Sequence, residues 1–354
     1  MNATKKFLSV DSLKPGMVTA EAVFNRFGSV LLWENTVLNN SMIQHLKNMG
    51  IQTVAVLSEK PEVTYIQKEG KESIRQLQFK FEYGMNVKET KKIFNEISSG
   101  KKIDINEVNP IIESLTSTSG TNRLAIDLIM EVRRIDEYTY YHSINVSLLS
   151  IVIGKWLKLS KQDIKNLAMA GLLHDIGKTK ISPYILNKPG KLTDEEFEEM
   201  KKHSEYGYNI VKEMEDIPEE VAAAILTHHE KEDGSGYPGG LTGDQLNIYS
   251  KIITVSDIFD AMTARRPYKS NDTPFKVFEL MQHGSFGILD PVVLNTFLKN
   301  ITNYYIGSTV RLNTGEIGEV VFMNKMDFSR PVVLVNNRYV DTMVSKTERI
   351  VEFL

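Results

Sequence analysis

The stretch LAMAGLLHDIGK, residues 167–178, decides how this chain is read. An apolar helical run, Leu167 to Leu173, ends in His174 and Asp175, and the sequence then breaks at Gly177. Both ionisable side chains therefore emerge where a buried helix meets a cavity, a placement that suits metal ligands. To either side, from about 136 to 303, the 3.6-residue period dominates: Ile144 to Leu157, Ile164 to Leu173, Phe197 to Met214, Val221 to Leu226, Ile252 to Met262 and Phe275 to Leu280. That pattern predicts an all-α domain. Thr193 followed by Glu196 has capping-box spacing, and Pro218 sits where a first helical turn tolerates proline.

The flanks read differently. Residues 1–62 form a small α/β unit with a Pro15-Gly16 turn, an extended Gly28 to Leu38 segment, a helix near Ser41 to Met49 and an alternating strand at Thr53-Val54-Ala55-Val56. Residues 63–135 are polar and helical, a connecting region, and 136–303 is the helical domain. From 304 to 354 the period drops to two, with Val310, Leu312, a turn at Asn313-Thr314-Gly315, then Val320-Val321-Phe322 and Val332-Val333-Leu334-Val335, so a small β unit closes the sequence. The fold class expected is mainly α, a helical bundle with a small α/β unit before it and a small β unit after it.

Composition removes several functions. The 45 acidic side chains exceed the 42 Lys and Arg by 3, so no global positive field exists to hold a nucleic-acid polymer. There is no cysteine, which excludes disulfides, thiolate nucleophiles and cysteine zinc sites and leaves imidazole, carboxylate and water as metal ligands. The longest apolar stretch, near Leu148 to Leu157, is interrupted by Ser150, Gly154 and Lys155 and is too short to cross a bilayer. Lys5 and Lys6 precede too few apolar residues for a secretory signal, so no membrane insertion and a cytoplasmic location are expected. The N-terminal unit offers no acidic cluster that would act as a phosphoacceptor.

Five of the seven histidines, His142, His174, His203, His228 and His229, fall in the helical domain, while His45 and His283 stand apart. A single histidine on an apolar helix is usually a satisfied core residue. His228-His229 points two imidazoles about 100° apart, so both can serve one site only near a helix end, which Glu230 to Gly236 supplies. Asp257 lies in an otherwise apolar helix, where a lone carboxylate is costly unless it is paired or bound to a cation. Together, five histidines and two aspartates on about five helices match a site for two first-row metals with nitrogen and oxygen ligands.

The ordered run of His174-Asp175-Ile176-Gly177-Lys178, Lys188-Pro189-Gly190 and His228-His229-Glu230 leading into Asp233-Gly234-Ser235-Gly236-Tyr237-Pro238 resembles the HD-GYP family of the HD phosphohydrolase superfamily. The likeness covers about 140 to 270 and extends to Asp257-Ile258-Phe259-Asp260-Ala261-Met262 and Arg266-Pro267-Tyr268-Lys269. It implies an HD-type helical bundle and a phosphodiesterase hydrolysing cyclic di-GMP to pGpG and onward to GMP through a metal-bridging hydroxide. It further implies that His142, His174 and Asp257 hold one metal, that His203, His228 and His229 hold the other, and that Asp175 bridges them. The metals expected are iron or manganese, the partner is cyclic di-GMP, and a homodimer is left open. Some family members carry a glutamate four residues before the first histidine and recruit a third metal; Tyr138 stands there in this chain, so two are expected. Glu232 departs from a position often aromatic or apolar in the family and leaves the ligands intact.

Two cations about 3.5 to 4 Å apart would acidify a shared water and clamp the phosphodiester oxygens during in-line attack. Lys178, one turn from His174, would place an ammonium beside the non-bridging oxygens. Arg266 and Lys269 are within reach of the same cavity mouth, to engage a second phosphate or a guanine edge. Tyr237, on the glycine-rich loop, offers a base an aromatic face. Tyr140-Tyr141 reads as packing, and the acidic run Glu195 to Glu199 with Lys201-Lys202 as a solvated helix face. The alternatives are a catalytically weak receptor for cyclic di-GMP and a phosphohydrolase of another cyclic dinucleotide.

Overall fold

The computed structural model describes residues 5–24, 30–32, 38, 40–57, 74–118, 126, 138–263, 273–284, 287–345 and 347–354. The chain is mainly helical, with small sheets near both termini. Near the N-terminus β1 (Lys5–Ser9) pairs antiparallel with β4 (Thr53–Leu57), β2 (Val23–Phe24) pairs with β3 (Val30–Leu32), and α1 (Asn40–Asn48) packs beside them. This unit has its own core, in which Leu38, Leu46, Val54 and Val56 are almost completely enclosed.

The second core begins with α2 (Ile74–Ser98) and α3 (Ile105–Thr118) and centres on α4 (Tyr138–Trp156). From Ile144 through Ile153 every residue of α4 is buried, as a helix apolar on all sides must be. Its small polar side chains serve the packing: Ser147 Oγ donates to the Ala168 carbonyl at 2.8 Å, and Ser150 Oγ donates to Ser256 Oγ at 3.1 Å. Around α4 lie α5 (Lys161–Leu173), α10 (Ile248–Thr263) and α12 (Pro291–Ile301); α9 (Glu219–Thr227) packs on α5 and α10, and α11 (Pro274–His283) on α10 and α12. Truncating one of the enclosed leucines, Leu148 for example, removes packing worth about 2–5 kcal/mol. Among the described residues no helix is long and apolar enough to cross a membrane.

Local chemistry sets the helix ends that later carry the site. Ser160 and Asp163 form a capping box at the start of α5, and Thr193 with Glu196 forms the expected one at α7 (Asp194–Lys201). Pro218 is the residue just before α9 rather than in its first turn. The single helical pattern expected over Phe197 to Met214 is two helices, α7 and α8 (His203–Lys212), divided at Lys202. There the Lys202 N–H closes on the Glu199 and Met200 carbonyls, and the Met200 carbonyl also accepts from the His203 ring. After α5 a tight turn, Ile176–Lys180, runs against α8, and a short helix α6 (Pro183–Leu186) follows. At Gly177 a Cβ would fall on the His203 carbonyl oxygen and the Gly207 amide, so glycine is required by close approach of two backbones.

The C-terminal sheet has strand order β8 (Arg338–Asp341), β7 (Val332–Val335), β6 (Ile317–Phe322), β5 (Thr309–Leu312) and β9 (Ile350–Phe353), all antiparallel. Val310, Leu312, Val320, Val333 and Val335 point inward and join the core of the helices.

Candidate metal centre

His142 lies in the second turn of α4, His174 caps the end of α5, and Asp175 follows it into the Gly177 turn. His203 opens α8, His228 caps α9 with His229 beyond it, and Asp257 projects from α10. The seven expected ligand side chains therefore come from helix ends and buried helix faces, and the fold brings all seven together. Their donor atoms form two groups, His142, His174 and Asp257 in one and Asp175, His203, His228 and His229 in the other, with the atoms of each group within 4.8 Å of one another. Asp175 faces both: its Oδ2 is 3.3 Å from His174 Nε2 and 3.6 Å from His142 Nε2, and its Oδ1 is 3.4 Å from His203 Nε2. His283 is remote, 57% exposed and 3.7 Å from Asp327, and the His45 side chain lies outside the described residues.

The ring tautomers follow from the acceptors. A carbonyl oxygen only accepts, so each Nδ1 bonded to one carries the proton. His174 Nδ1 donates to the Gly171 carbonyl at 2.8 Å, His203 Nδ1 to Met200 at 2.7 Å and His228 Nδ1 to Ile225 at 2.7 Å. Each Nε2 is then aimed into the centre, and in a neutral ring it is a bare lone pair. His203 Nε2 lies 3.3 Å from His228 Nε2 and 3.2 Å from His229 Nε2.

Electrostatics separates the two groups. Burial pushes the His203 and His228 pKa values down, His228 strongly, and takes His229 down to about 3, so these rings are neutral at pH 7. Burial opposes charge on His142 as well, but its bonds to Asp257 and Asp260 outweigh that and push it up to about 10. Burial would raise the two aspartates, yet nearby positive charge prevails: His174 and Lys178 hold Asp175 well below the usual carboxylate range, and His142 does the same for Asp257.

These donors fit divalent cations. The Nε2 lone pairs of neutral His203 and His228, facing each other at 3.3 Å, repel unless a cation lies between them, and burial resists protonation. Such spacing is what two nitrogens about 2.0–2.1 Å from one metal, at a roughly tetrahedral angle, would show. His174 Nε2 and Asp175 Oδ1 are buried without a hydrogen-bond partner, as donors reserved for a metal would be.

Around the centre, Lys178 Nζ pairs with Asp175 Oδ2 at 2.5 Å and keeps 27% of its side chain exposed. The Tyr237 ring stacks on His229 at 4.7 Å and 30°, and burial followed by the charges of Asp175 and Asp257 pushes its phenol pKa up. Arg266 and Lys269 lie outside the described residues, as does the Tyr138 side chain. Three participants had no role assigned from sequence. Glu230, 1% exposed, accepts from the Gly239 amide at 2.6 Å and the Leu241 amide at 3.0 Å, and so suspends the glycine-rich loop. Lys201, read as solvated, lies 5.8 Å from the Tyr237 ring and 5.6 Å from Phe197. Asp260 bonds to His142 at 2.8 Å; its spacing of three from Asp257 on one helix was the signal available.

Residues 118–293 match the HD domain family. The chain is 33% identical over 243 residues to a cyclic di-GMP phosphodiesterase of Pseudomonas aeruginosa, covering 69% of this chain and 58% of that protein. It is 39% identical over 184 residues to a cyclic di-GMP phosphodiesterase of Thermotoga maritima, covering 51% and 50%, and 38% identical over 154 residues to a 3'3'-cGAMP-specific phosphodiesterase of Vibrio cholerae, covering 44% and 33%. The chain thus spans between a third and three fifths of the length of these relatives.

Proposed function

We propose, from the premise that this chain belongs to the HD-GYP family of HD domain proteins, that it is a metal-dependent phosphodiesterase hydrolysing cyclic di-GMP to pGpG and onward to GMP. The observation that carries the reading is the convergence of seven donors, five of them buried, into two groups joined by the two oxygens of Asp175. His142, His174 and Asp257 would hold one cation, His203, His228 and His229 the other, with Asp175 between them. Iron or manganese is the expected metal, and two per chain the expected number. When bound, the pair supplies Lewis-acid polarisation of a phosphodiester and a water acidified toward neutral pH.

The remaining work falls to the chain's own groups. Lys178, held by Asp175, presents its ammonium at the rim, where it attracts phosphate oxygens and stabilises the charge that grows on them. Tyr237, with one face on His229, offers the other side of the pocket mouth an aromatic surface for a base. Arg266 and Lys269 would grip the second phosphate or a guanine edge. Glu230 keeps the loop bearing Tyr237 in register with the donors beside it. We read the reaction as a cytoplasmic one, in keeping with a cyclic dinucleotide substrate.

A second reading, a different cyclic dinucleotide, is favoured by the 38% identity to a protein specific for 3'3'-cGAMP. Anaerobic purification with Fe(II) or Mn(II), a metal count per chain, and chromatography of cyclic di-GMP and 3'3'-cGAMP digests test both. Two metals with pGpG or GMP appearing supports the reading. Preferential loss of 3'3'-cGAMP moves the substrate, and tight binding without hydrolysis by the loaded protein overturns the enzyme in favour of a receptor.

A further inference from the structure

One histidine of the centre is oriented in a way the others are not. His174, His203 and His228 each give their Nδ1 proton to a carbonyl three residues earlier in the chain, so each ring is aimed by its own helix end. His142 gives its proton to Asp260 Oδ2, 2.8 Å away and 118 residues distant, on α10. Asp260 is 1% exposed and does not belong to either donor group.

The carboxylate is itself held. A carboxylate accepts only, so Asn145 presents its amide nitrogen to Asp260 Oδ1, at 3.1 Å. That leaves Asn145 Oδ1 to accept from the Tyr83 hydroxyl at 2.7 Å. Asn145 and Tyr83 are 3% and 4% exposed, so every link is shielded from water and has one polarity. Tyr83 lies on α2, the next described element after the N-terminal unit, and its ring also stacks on Tyr141 at 6.0 Å. The chain runs from Tyr83 through Asn145 and Asp260 to His142, and leaves His142 Nε2 facing Asp257 at 3.0 Å and Asp175 at 3.6 Å.

We propose that Asp260 is the positioning residue for His142, and that Tyr83 steadies it through Asn145, so that docking of α2 sets how tightly the first donor group grips its cation. The inference rests on the two-metal reading above. Partners of a metal-binding imidazole fix its tautomer and ring orientation, and removing one typically weakens metal affinity about 10–100-fold. A helix outside the donor set thereby gains a hold on one of the two sites and not on the other.

The test uses the full chain, stripped by chelation, titrated with Mn(II) alone and followed by calorimetry, with no substrate present. Wild type is expected to bind two ions. Asp260→Asn should weaken one of them by roughly 10–100-fold and leave the other unchanged, and Tyr83→Phe should weaken the same one several-fold. In the stripped protein, the ¹⁵N histidine spectrum should show the His142 Nδ1 resonance displaced in Asp260→Asn while those of His174, His203 and His228 stay in place. If wild type binds no Mn(II), the metal reading and this inference fall together. If wild type binds two and Asp260→Asn binds both as tightly, the inference alone falls. Should Asp260→Asn fail to fold, Tyr83→Phe decides, since it deletes one buried oxygen far from the donors, and an unchanged affinity overturns the proposal.

Discussion

The two donor groups lie side by side and are built on opposite principles. The group of His203, His228 and His229 is rich in imidazole, and burial keeps its rings neutral. The group of His142, His174 and Asp257 contains a carboxylate of its own, and Asp257 with the neighbouring Asp260 drives His142 toward its charged form. One group is deficient in negative charge and the other partly neutralises itself. The same residue type is thus given two chemistries by its neighbours, and only Asp175 belongs to both environments.

The most damaging way to break this comparison is to remove the shared residue. Asp175→Ala is expected to empty both groups and to lower turnover by roughly a thousandfold or more. Metal analysis of the purified variant checks it, and full metal content would show that the groups are independent. Lys178→Ala leaves the donors in place while removing the ammonium paired to Asp175; metal content should hold and kcat should fall about a hundredfold. Lost metal in that variant would mean that Lys178 organises the donors instead.

Acidity sharpens the contrast in the metal-stripped protein. His229 folds with its pKa lowered from 6.5 to about 3, so between those values the unfolded chain binds a proton that the folded one refuses. Its stabilising contribution is complete above 6.5 and is lost as pH falls, by about 2 kcal/mol at pH 5. His203 and His228 act in the same direction. His142 acts oppositely: with its pKa raised to about 10, its contribution is complete below 6.5 and is lost as pH rises from there toward 10. Urea unfolding of the stripped chain should therefore be most resistant near pH 6.5 and weaker at pH 5 and 9, and a flat profile would contradict the assignment. The smallest expected effect is at the rim: Lys201→Ala removes a cation near Tyr237 and should raise KM a few-fold with kcat unchanged.

Five of the seven donors stood out in sequence for local reasons: His174 and Asp175 end an apolar run, His228-His229 ends another, and Asp257 interrupts a third. His142 and His203, and the division into two groups, came from the family resemblance. The helix break at Lys202 was hidden because the apolar period continues across it, and what divides it is a ring bond to the Met200 carbonyl. Asp260 and Glu230 stood inside quoted motifs without a role, since their partners are His142 and the loop amides of Gly239 and Leu241, distant in the chain or made of backbone. Lys201 looked solvated because its helix face is charged, and only the folded loop brings Tyr237 over to it.

Gly177 carries a warning for anyone surveying this region by mutation. Its lack of a side chain lets the turn after Asp175 rest on the backbone of α8, directly against His203. Any replacement would separate the strut that carries Asp175 from the strut that carries His203, and both halves of the centre would drift. A saturation screen scored on turnover alone would rank Gly177 among the reacting groups, although it has no atom to contribute to the reaction. Scored for folded yield as well, the same screen would separate the architecture of the centre from its chemistry.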